Sequence, residues 1–306
     1  MTSDTTLSRY KRVAFLGLGK MGLPMARRLH GAGAPVVGFD VAERAREAFA
    51  QSGGAVASSA REAAQSSDVL ITMLPDGKAV RAALLGGEPL VASLGTDAVI
   101  IDMSSSAPVG TRELAEELAA RGIHLIDAPV SGGVKRAIDG SLAIMVGGAA
   151  EIIARVRSLL EAMGKSIFET GGIGSGHAMK ALNNYVSAAG LTAACEALQI
   201  GEKFGLDPVL MTDILNASTG RNNSTEVKLK PFVIPKNYAS GFSLGLMAKD
   251  LRTADDLASY LDVPAPFSQA LVDIWAQAAD ALSAAQDHTA IDAYLATAAK
   301  PYRRIR

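Results

Sequence analysis

A glycine-rich turn near the start of the chain constrains its fold more than any other feature. The short apolar run Arg12–Leu16 ends in Gly17-Leu18-Gly19-Lys20-Met21-Gly22, and apolar residues then recur at helical spacing until Gly31. The order of strand, G-x-G-x-x-G and helix permits a tight turn, close approach of the backbone to a pyrophosphate, and close packing of helix on strand. Free N–H groups at the helix start suit phosphates. The pattern predicts a dinucleotide-binding domain in which this turn contacts the cofactor.

The next predicted strand favours NAD as the cofactor. The stretch Pro35–Asp40 ends in an acid at the distance that the motif requires, roughly 20 residues beyond the first glycine. The carboxylate of Asp40 would accept hydrogen bonds from the adenosine ribose and repel a 2′-phosphate. Arg44 follows closely and leaves NADP open as the less favoured cofactor.

The first half of the chain continues to alternate between strand and helix patterns. Helices are predicted over 43–51, 76–85, 107–120 and 150–163, and strands over 69–73, 99–102, 124–127, 141–146 and 166–169. Such alternation predicts an α/β fold with a mostly parallel sheet and right-handed crossovers. A Rossmann-type domain is therefore expected over 1–173, with ligands bound beyond the carboxyl ends of its strands.

The predicted strand ends contain further candidate residues. Leu74 and Pro75 either stop a strand or form a wall beside the nicotinamide ribose. The run Ser104–Ser106 precedes a helix and is expected to cap it, while one of its hydroxyl groups faces the cofactor. The turn Ser131-Gly132-Gly133 is either an ordinary connection or a concave turn whose backbone N–H groups bind a carboxylate.

Helical patterns fill the second half of the chain. A long helix is predicted over 175–204, followed by helices over 208–217, 223–230, 244–261, 265–285 and 289–299. These predict an all-α domain over 174–306 that the long helix joins to the first domain. Many alanines in the long helix permit close packing within the chain, against a second subunit, or both.

Two polar residues on the long helix are candidates for chemistry. Lys180 and Asn184 are four residues apart, so they share one helix face. A lysine near a helix start is poorly placed for stability, because the dipole there favours anions and is expected to lower the pKa of the amine. The helix is therefore expected to carry a proton-transfer residue, Lys180, into a cleft between the domains. Lys249-Asp250 is either a surface ion pair or a second part of that site.

Composition argues against several classes of function. Thirty Lys and Arg residues nearly balance 31 Asp and Glu residues, which gives no support to nucleic-acid or polybasic membrane binding. The single cysteine, Cys195, excludes an internal disulfide framework and fits a reducing, cytoplasmic location. The four histidines form no ligand pair at helical spacing, so no metal is expected. No apolar run reaches the ~18 residues of a membrane span, and the N-terminus does not resemble a targeting peptide.

Four motifs in order resemble the β-hydroxyacid dehydrogenase family. They are Gly17–Gly22 with the helix that follows, Asp127–Gly133, Gly174–Asn184 and Lys249-Asp250, and together they span nearly the whole chain. The resemblance implies a Rossmann-type domain joined by a long helix to an all-α domain, in a homodimer or homotetramer. It also implies NAD as cofactor and a small hydroxy acid as substrate.

The resemblance also assigns roles to individual residues. It implies Lys180 as the general acid and base and Asn184 as a substrate ligand. It places the substrate loop at Ser131, Gly132 and Gly133, and a lysine that closes over cofactor and substrate at Lys249. Cofactor contacts are implied for Leu74, Pro75 and Ser105. Ala79 departs from the pattern, because some relatives have a cofactor-contacting asparagine there.

The expected activity is oxidation of a small 3-hydroxy acid, similar to 3-hydroxyisobutyrate, to its semialdehyde, or the reverse reaction. The alternatives are an NADPH-dependent reductase of semialdehydes or glyoxylate, an oxidative decarboxylase of the 6-phosphogluconate type, an imine reductase, and an NAD-sensing protein without turnover. This chain has no clear basic cluster for a sugar phosphate, which argues against the decarboxylase. Imine reductases usually lack a lysine at the position of Lys180, which argues against the imine reductase.

Overall fold

The computed structural model describes residues 7–87 and 89–297, which form two compact units. The first unit ends at Lys180 and the second begins at Ala181. The first unit is a sheet with helices, and the second is helical. The long helix predicted over 175–204 is confirmed as Ser175–Phe204 and continues from one unit into the other.

The first unit contains nine strands within the described residues. They are β1 (Val13–Leu16), β2 (Val36–Phe39), β3 (Ala55–Val56), β4 (Val69–Thr72), β5 (Val99–Asp102), β6 (His124–Asp127), β7 (Val130–Ser131), β8 (Leu142–Gly147) and β9 (Gly164–Gly171). Its helices are α1 (Gly22–Gly31), α2 (Glu43–Ala50), α3 (Ala60–Ala64), α4 (Gly77–Leu85), α5 (Pro108–Ala119), α6 (Gly133–Asp139), α7 (Ala150–Met163) and the start of α8 (Ser175–Phe204).

The sheet is mostly parallel, as predicted. Strands run in the order β3-β2-β1-β4-β5-β6 with every neighbouring pair parallel. Strand β8 pairs antiparallel with β6 and β7, and parallel with β9. The order reverses direction at β1, which lies between β2 and β4. In open parallel sheets, ligands bind at such a switch point, beyond the carboxyl ends of the strands.

Both faces of the sheet are buried, and this explains the continuous apolar runs in the sequence. On β1, Val13 and Phe15 face a core that includes α1 and α7. Ala14 and Leu16 face a second core that includes residues of α3, α4 and α5. Because side chains alternate across a strand, burial on both faces requires an apolar residue at every position.

Polar residues interrupt this pattern at the carboxyl edge of the sheet. Thr72, Asp102 and Asp127 are the last residues of β4, β5 and β6, and the register places them side by side. All three are buried. Buried polar groups need hydrogen-bond partners, so this row fixes the loops that leave the sheet here.

The second unit packs helices around a single tryptophan. It contains the rest of α8, then α9 (Pro208–Ala217), α10 (Asn223–Val227), a π-helical turn (Leu229–Val233), α11 (Leu244–Tyr260), α12 (Pro266–Leu282), a 3₁₀ turn (His288–Ala290) and α13 (Ile291–Thr297). Trp275 is fully buried among α8, α11 and α12, and its indole N–H donates to Thr192 Oγ1 at 3.0 Å. The predicted helix over 289–299 extends beyond the described residues after Thr297.

Several local expectations were wrong or incomplete. Two of the serines after β5 have partners other than the start of α5: the Ser104 hydroxyl accepts the N–H of Leu74, and Ser106 Oγ donates to Asp102 Oδ2 at 2.8 Å. The helix predicted over 223–230 ends at Val227, because Pro231 lacks an N–H and a wider turn replaces the last α-helical turn. The short elements β3, α3, β7 and α6 were not predicted, since two to seven residues give no readable period.

The glycine turn between β1 and α1 depends on two very close approaches. Gly17 has φ +95°, and a Cβ there would lie 2.3 Å from the carbonyl oxygen of Met73. A Cβ on Gly22 would lie 1.9 Å from the carbonyl oxygen of Gly17. Gly19 is different, because no described atom beyond its chain neighbours lies within 4 Å of its Cβ position. The first and third glycines are therefore required by packing, whereas the second opens onto free space.

This difference predicts opposite stability effects for two matched substitutions. Gly22→Ala should lower the free energy of unfolding by about 2 kcal/mol or more, because the turn must open to admit the methyl group. Gly19→Ala adds the same methyl group into open space and should leave the free energy of unfolding nearly unchanged. Thermal or urea denaturation measures both. Equal destabilisation by the two substitutions would contradict this account of the turn.

Candidate active site

The glycine turn presents open backbone at the carboxyl edge of the sheet. Gly19 and Lys20 are exposed, whereas Gly17, Leu18 and Gly22 are buried. Among the described residues, no side chain caps the start of α1. Helix N–H groups that lack a side-chain cap, next to a glycine with free space above it, fit a bound pyrophosphate. The residues present therefore fit the dinucleotide that the motif predicts.

Asp40 lies beside this turn and is held by two backbone hydrogen bonds. The N–H of Leu18 donates to its Oδ2 at 2.7 Å, and the N–H of Ala42 donates to its Oδ1 at 2.8 Å. Arg46 Nη1 donates to the backbone oxygen of Asp40 at 2.6 Å, so its guanidinium does not pair with the carboxylate. A fixed negative charge thus follows β2, where the ribose of a dinucleotide binds in this fold.

The loops after β4 and β5 are joined through serine hydroxyl groups. The N–H of Leu74 donates to Ser104 Oγ at 2.9 Å, which connects the two loops directly. Asp102 Oδ1 accepts hydrogen bonds from the Thr72 hydroxyl at 2.9 Å and from the Ser104 N–H at 3.0 Å. The loops that contain Pro75 and Ser105, both predicted cofactor contacts, are therefore held in one buried network.

The first turn of α8 is tied to the same edge of the sheet. Asp127 Oδ1 accepts a hydrogen bond from the Gly174 N–H, and Oδ2 accepts one from the His177 N–H, both at 2.7 Å. Gly176 allows this approach, because a Cβ there would lie 2.9 Å from Asp127 Oδ2 and 2.3 Å from the carbonyl oxygen of Met145. The helix thus begins directly above the end of β6.

The imidazole of His177 lies between the two buried carboxylates. Its Nε2 is 3.2 Å from the carbonyl oxygen of Ser104 and 3.7 Å from Asp102 Oδ2. Its Nδ1 shares a 2.8 Å hydrogen bond with the Thr111 hydroxyl and lies 3.7 Å from Asp127 Oδ2. Because a carbonyl oxygen only accepts hydrogen bonds, Nε2 carries a proton. The side chain of His177 is fully buried.

Burial raises the pKa of Asp127 above that of an ordinary aspartate, and this effect outweighs the opposing influence of His177 and the backbone hydrogen bonds. An acid whose pKa is higher in the folded state opposes folding once it ionises. Between its ordinary pKa and the raised value, the free energy of unfolding falls as pH rises. Ionised Asp127 therefore lowers stability while it holds α8.

The predicted substrate loop follows Asp127 closely. Ser131 belongs to β7 and pairs with Ala143 of β8. Gly132 and Gly133 both have positive φ, at +132° and +67°, and Gly133 begins α6. Both glycines are exposed, and Ser131 is half-buried. The turn has the backbone geometry expected of a concave loop, and its binding of a carboxylate stays a prediction.

Lys180 lies in the second turn of α8, three residues beyond His177, and is half-buried. It belongs to the first unit, together with the glycine turn, the serine loops and the predicted substrate loop. The anchored first turn therefore sets the position of the helix from which Lys180 extends.

The other two predicted residues belong to the second unit and share a buried carboxylate. Asn184 Nδ2 donates to Asp250 Oδ2 at 2.5 Å, and Lys249 Nζ lies 3.2 Å from Asp250 Oδ1. Asp250 is buried, as is Asn184, and Lys249 is half-buried. One acid thus orients both polar side chains, which makes Lys249-Asp250 more than a surface ion pair.

Sequence reasoning missed the roles of Asp102, Asp127, His177 and Asp250. The two strand-end acids were visible as charges at the ends of apolar runs, but nothing in their spacing pairs them with His177. Within residues 7–87 and 89–297, no group of three or more histidine, cysteine or acidic side chains is arranged to hold a metal ion. No helix in the described part of the chain is long and apolar enough to cross a bilayer.

Two family profiles match the chain. The profile described as the NAD binding domain of 6-phosphogluconate dehydrogenase matches residues 12–172. The profile described as NAD-binding of NADP-dependent 3-hydroxyisobutyrate dehydrogenase matches residues 174–295. The chain therefore contains NAD(P)-binding domains, and the two descriptions differ in which of the two cofactors they name.

Characterised relatives and a solved structure agree with these matches. The 3-hydroxyisobutyrate dehydrogenase of Pseudomonas aeruginosa is 41% identical over 248 residues, covering 79% of this chain and 83% of the relative. The 2-(hydroxymethyl)glutarate dehydrogenase of Eubacterium barkeri is 35% identical over 257 residues, covering 84% of this chain and 85% of the relative. The structure of Mycobacterium tuberculosis 3-hydroxyisobutyrate dehydrogenase with L-serine superposes with a TM-score of 0.85 at 37% identity. The match covers 93% of this chain and 98% of that structure's chain. With a profile over more than half of its length and relatives at this level of identity, the chain belongs to the β-hydroxyacid dehydrogenase family, a family of oxidoreductases.

Proposed function

We propose that this protein oxidises the primary alcohol of a small 3-hydroxy acid with NAD, or reduces the matching semialdehyde. The observation that carries the proposal is the anchoring of α8. Asp127 and His177 fix its first turn at the carboxyl edge of the sheet, so Lys180 extends from a helix that starts at the same sheet edge as the glycine turn. A bound nicotinamide ring would supply the hydride acceptor or donor.

The residues of this chain would position the substrate and move its proton. The amine of Lys180, when neutral, takes the proton of the substrate hydroxyl group during oxidation and returns it during reduction. The backbone N–H groups of the turn Ser131–Gly133 hold the substrate carboxylate. Asn184, whose amide nitrogen is engaged by Asp250, offers its oxygen to the substrate hydroxyl. Lys249 adds positive charge next to Asp250 and is proposed to contact both cofactor and substrate.

The names of the relatives define a common substrate core. 3-Hydroxyisobutyrate and 2-(hydroxymethyl)glutarate name the activities of two relatives, and L-serine occupies the structure of a third. All three molecules contain a hydroxymethyl group on the carbon that also bears a carboxylate. Their third substituent is a methyl, a carboxyethyl or an ammonium group. We therefore propose a 2-substituted 3-hydroxypropanoate as the substrate of this chain.

A panel assay tests the proposed function directly. Purified protein is mixed with NAD and 3-hydroxyisobutyrate, 3-hydroxypropionate, glycerate, threonate, serine or 2-(hydroxymethyl)glutarate, and the absorbance of the reduced cofactor is followed. We expect turnover with at least one acid that contains the hydroxymethyl core. Cofactor binding without turnover of any acid would favour the alternative of a nucleotide-sensing protein.

Replacing Lys180 tests its role in proton transfer. Lys180→Ala should lower kcat by roughly 10²–10⁴-fold, the usual contribution of a general acid or base. The dissociation constant for NADH, measured by fluorescence, should change little. Lys203→Ala removes an exposed lysine from the last turn of the same helix and serves as the control. Near-normal turnover in Lys180→Ala would refute the assignment.

Replacing Asp40 tests the preference for NAD. Asp40→Asn should raise the ratio of kcat/KM for NADP to that for NAD by at least about tenfold, equivalent to ~1.4 kcal/mol, because it removes a charge that repels the 2′-phosphate. Asp68→Asn is a matched control, since Asp68 also accepts a backbone N–H but precedes β4 at the opposite edge of the sheet. An unchanged ratio in Asp40→Asn would show that specificity lies elsewhere.

We further propose a homo-oligomer assembled through the second unit. Large apolar side chains are exposed on α8 and α9, among them Ile200 at 71% and Phe204 at 83%, and also Val186, Leu210 and Ile214. Exposed apolar groups of this density usually mark an interaction surface. A second copy of the chain is the proposed partner, because the same helices in each copy would cover each other.

Solution mass tests this assembly. Light scattering should give two or four times the 31.6 kDa of one chain. Phe204→Asp should shift the mass toward the monomer, because burial of a new charge against apolar side chains is unfavourable. Phe168→Asp replaces a phenylalanine that is 55% exposed on β9 of the first unit and should leave the mass unchanged. A monomeric wild-type protein would overturn the proposal.

A cytoplasmic location is part of the same proposal. Cys195 is buried, and burial raises its pKa, which keeps the thiol protonated and unreactive. A chain whose single cysteine is enclosed in this way gains nothing from an oxidising compartment. Fractionation of cells that express the tagged protein measures this directly.

A further inference from the structure

We infer that His177, held between Asp102 and Asp127, is a positioning residue that sets the location of Lys180 relative to the cofactor loops. The inference rests on the proposed function, because it assumes that Lys180 transfers the proton. These three side chains are named here the anchor cluster, and all of them belong to the first unit. None of the hydrogen bonds described above joins the cluster to the glycine turn or to the predicted substrate loop.

The first step of the argument is that His177 joins elements that are far apart in sequence. Its backbone N–H bonds to Asp127 at the end of β6, and its ring contacts the Ser104 carbonyl after β5 and Thr111 in α5. The hydroxyl of the same Ser104 accepts the N–H of Leu74 after β4. One buried ring therefore connects the start of α8 to the loop after β5 and, through Ser104, to the loop after β4, and both loops contain predicted cofactor contacts.

The second step is the spacing between His177 and Lys180. Residues three apart in a helix are neighbours on its surface, so a shift of His177 moves the backbone beneath Lys180 by a comparable amount. A displacement of ~1 Å at a reacting group costs up to 10²-fold in rate. The contacts of His177 thus set the distance between the Lys180 amine and a cofactor bound by the loops after β4 and β5.

The third step is that stability does not explain the anchor cluster. Burial raises the pKa of Asp127, so ionisation of this carboxyl group lowers the free energy of unfolding. Apolar side chains of similar volume often replace buried charged groups without loss of stability. The polar cluster does provide direction: each ring nitrogen and each carboxylate oxygen faces a specific partner, and apolar packing lacks that directional constraint.

Two substitutions of His177 separate positioning from simple packing. His177→Leu fills similar space but removes both ring nitrogens. His177→Gln retains an amide that can donate to the Ser104 carbonyl and form a hydrogen bond with the Thr111 hydroxyl. We expect His177→Leu to lower kcat by about 10–100-fold, with KM and the NADH dissociation constant within about threefold of the wild type. His177→Gln should recover most of this loss.

Amide hydrogen exchange gives a readout that does not depend on turnover. In His177→Leu, peptides that cover 174–184 should exchange faster by about tenfold or more, whereas peptides from the second half of α8 should not change. His124→Leu is the control, because His124 is a half-buried histidine on β6 of the same unit that pairs with Asp97. It should alter neither kcat nor exchange over 174–184.

The outcomes distinguish failure of this inference from failure of the proposed function. If wild-type protein turns over no hydroxy acid, the proposed function fails, and exchange over 174–184 alone decides whether His177 positions the helix. Unchanged exchange and unchanged kcat in His177→Leu, or an equal effect in His124→Leu, would overturn the inference. If His177→Leu does not fold, Thr111→Val serves as a second variant, because it removes the partner of Nδ1. It should lower kcat by about threefold or more, and an unchanged kcat in Thr111→Val would also overturn the inference.

Discussion

The carboxylate of Asp127 accepts the N–H groups of Gly174 and His177, and these two hydrogen bonds fix where the long helix leaves the sheet. Both bonds depend on neighbouring glycines. A Cβ on Gly176 or Gly147 would lie 2.9 Å or 2.5 Å from an oxygen of this carboxylate. The anchored turn is therefore compact because the sequence supplies small residues on both sides of one buried acid, in a strand end that is otherwise apolar.

The same edge of the sheet orders the loops that contain the predicted cofactor contacts Leu74, Pro75 and Ser105. Parallel strands bring their carboxyl ends together, and register places Thr72, Asp102 and Asp127 in one row. Asp102 accepts hydrogen bonds from the Thr72 hydroxyl and from the Ser104 N–H. The hydroxyl of Ser104 in turn accepts the N–H of Leu74. A polar row in a buried sheet is costly unless its members bond to each other. Hydrogen bonding between Thr72 and Asp102 thus stabilises this part of the row and positions the loops after β4 and β5 together.

Local sequence signals predicted most of the fold and less of the site. The glycine turn, the apolar strands and α8 were correctly predicted because each is governed by neighbours in sequence: positive φ at Gly17, burial on both faces of β1, and helical spacing over thirty residues. The serines near Asp102 were assigned to capping because hydroxyl groups before a helix usually cap it. The observed partner of Ser104 and Ser106 is Asp102, two and four residues before them, and nothing in the sequence showed that this acid is buried. His177 gave no signal, since its partners lie 66 and 73 residues away.

Reaction and substrate are encoded by different parts of such a chain. The hydroxymethyl group and the carboxylate are common to the molecules named for the relatives, and these are the groups proposed to contact Lys180 and the turn Ser131–Gly133. The third substituent ranges from a methyl to a carboxyethyl group, although both relatives share more than a third of their aligned residues with this chain. Residues that hold the shared groups cannot discriminate among these acids. If the proposed contacts hold, substrate choice lies in side chains outside the motifs that identify the family, and it can change without altering the anchored helix.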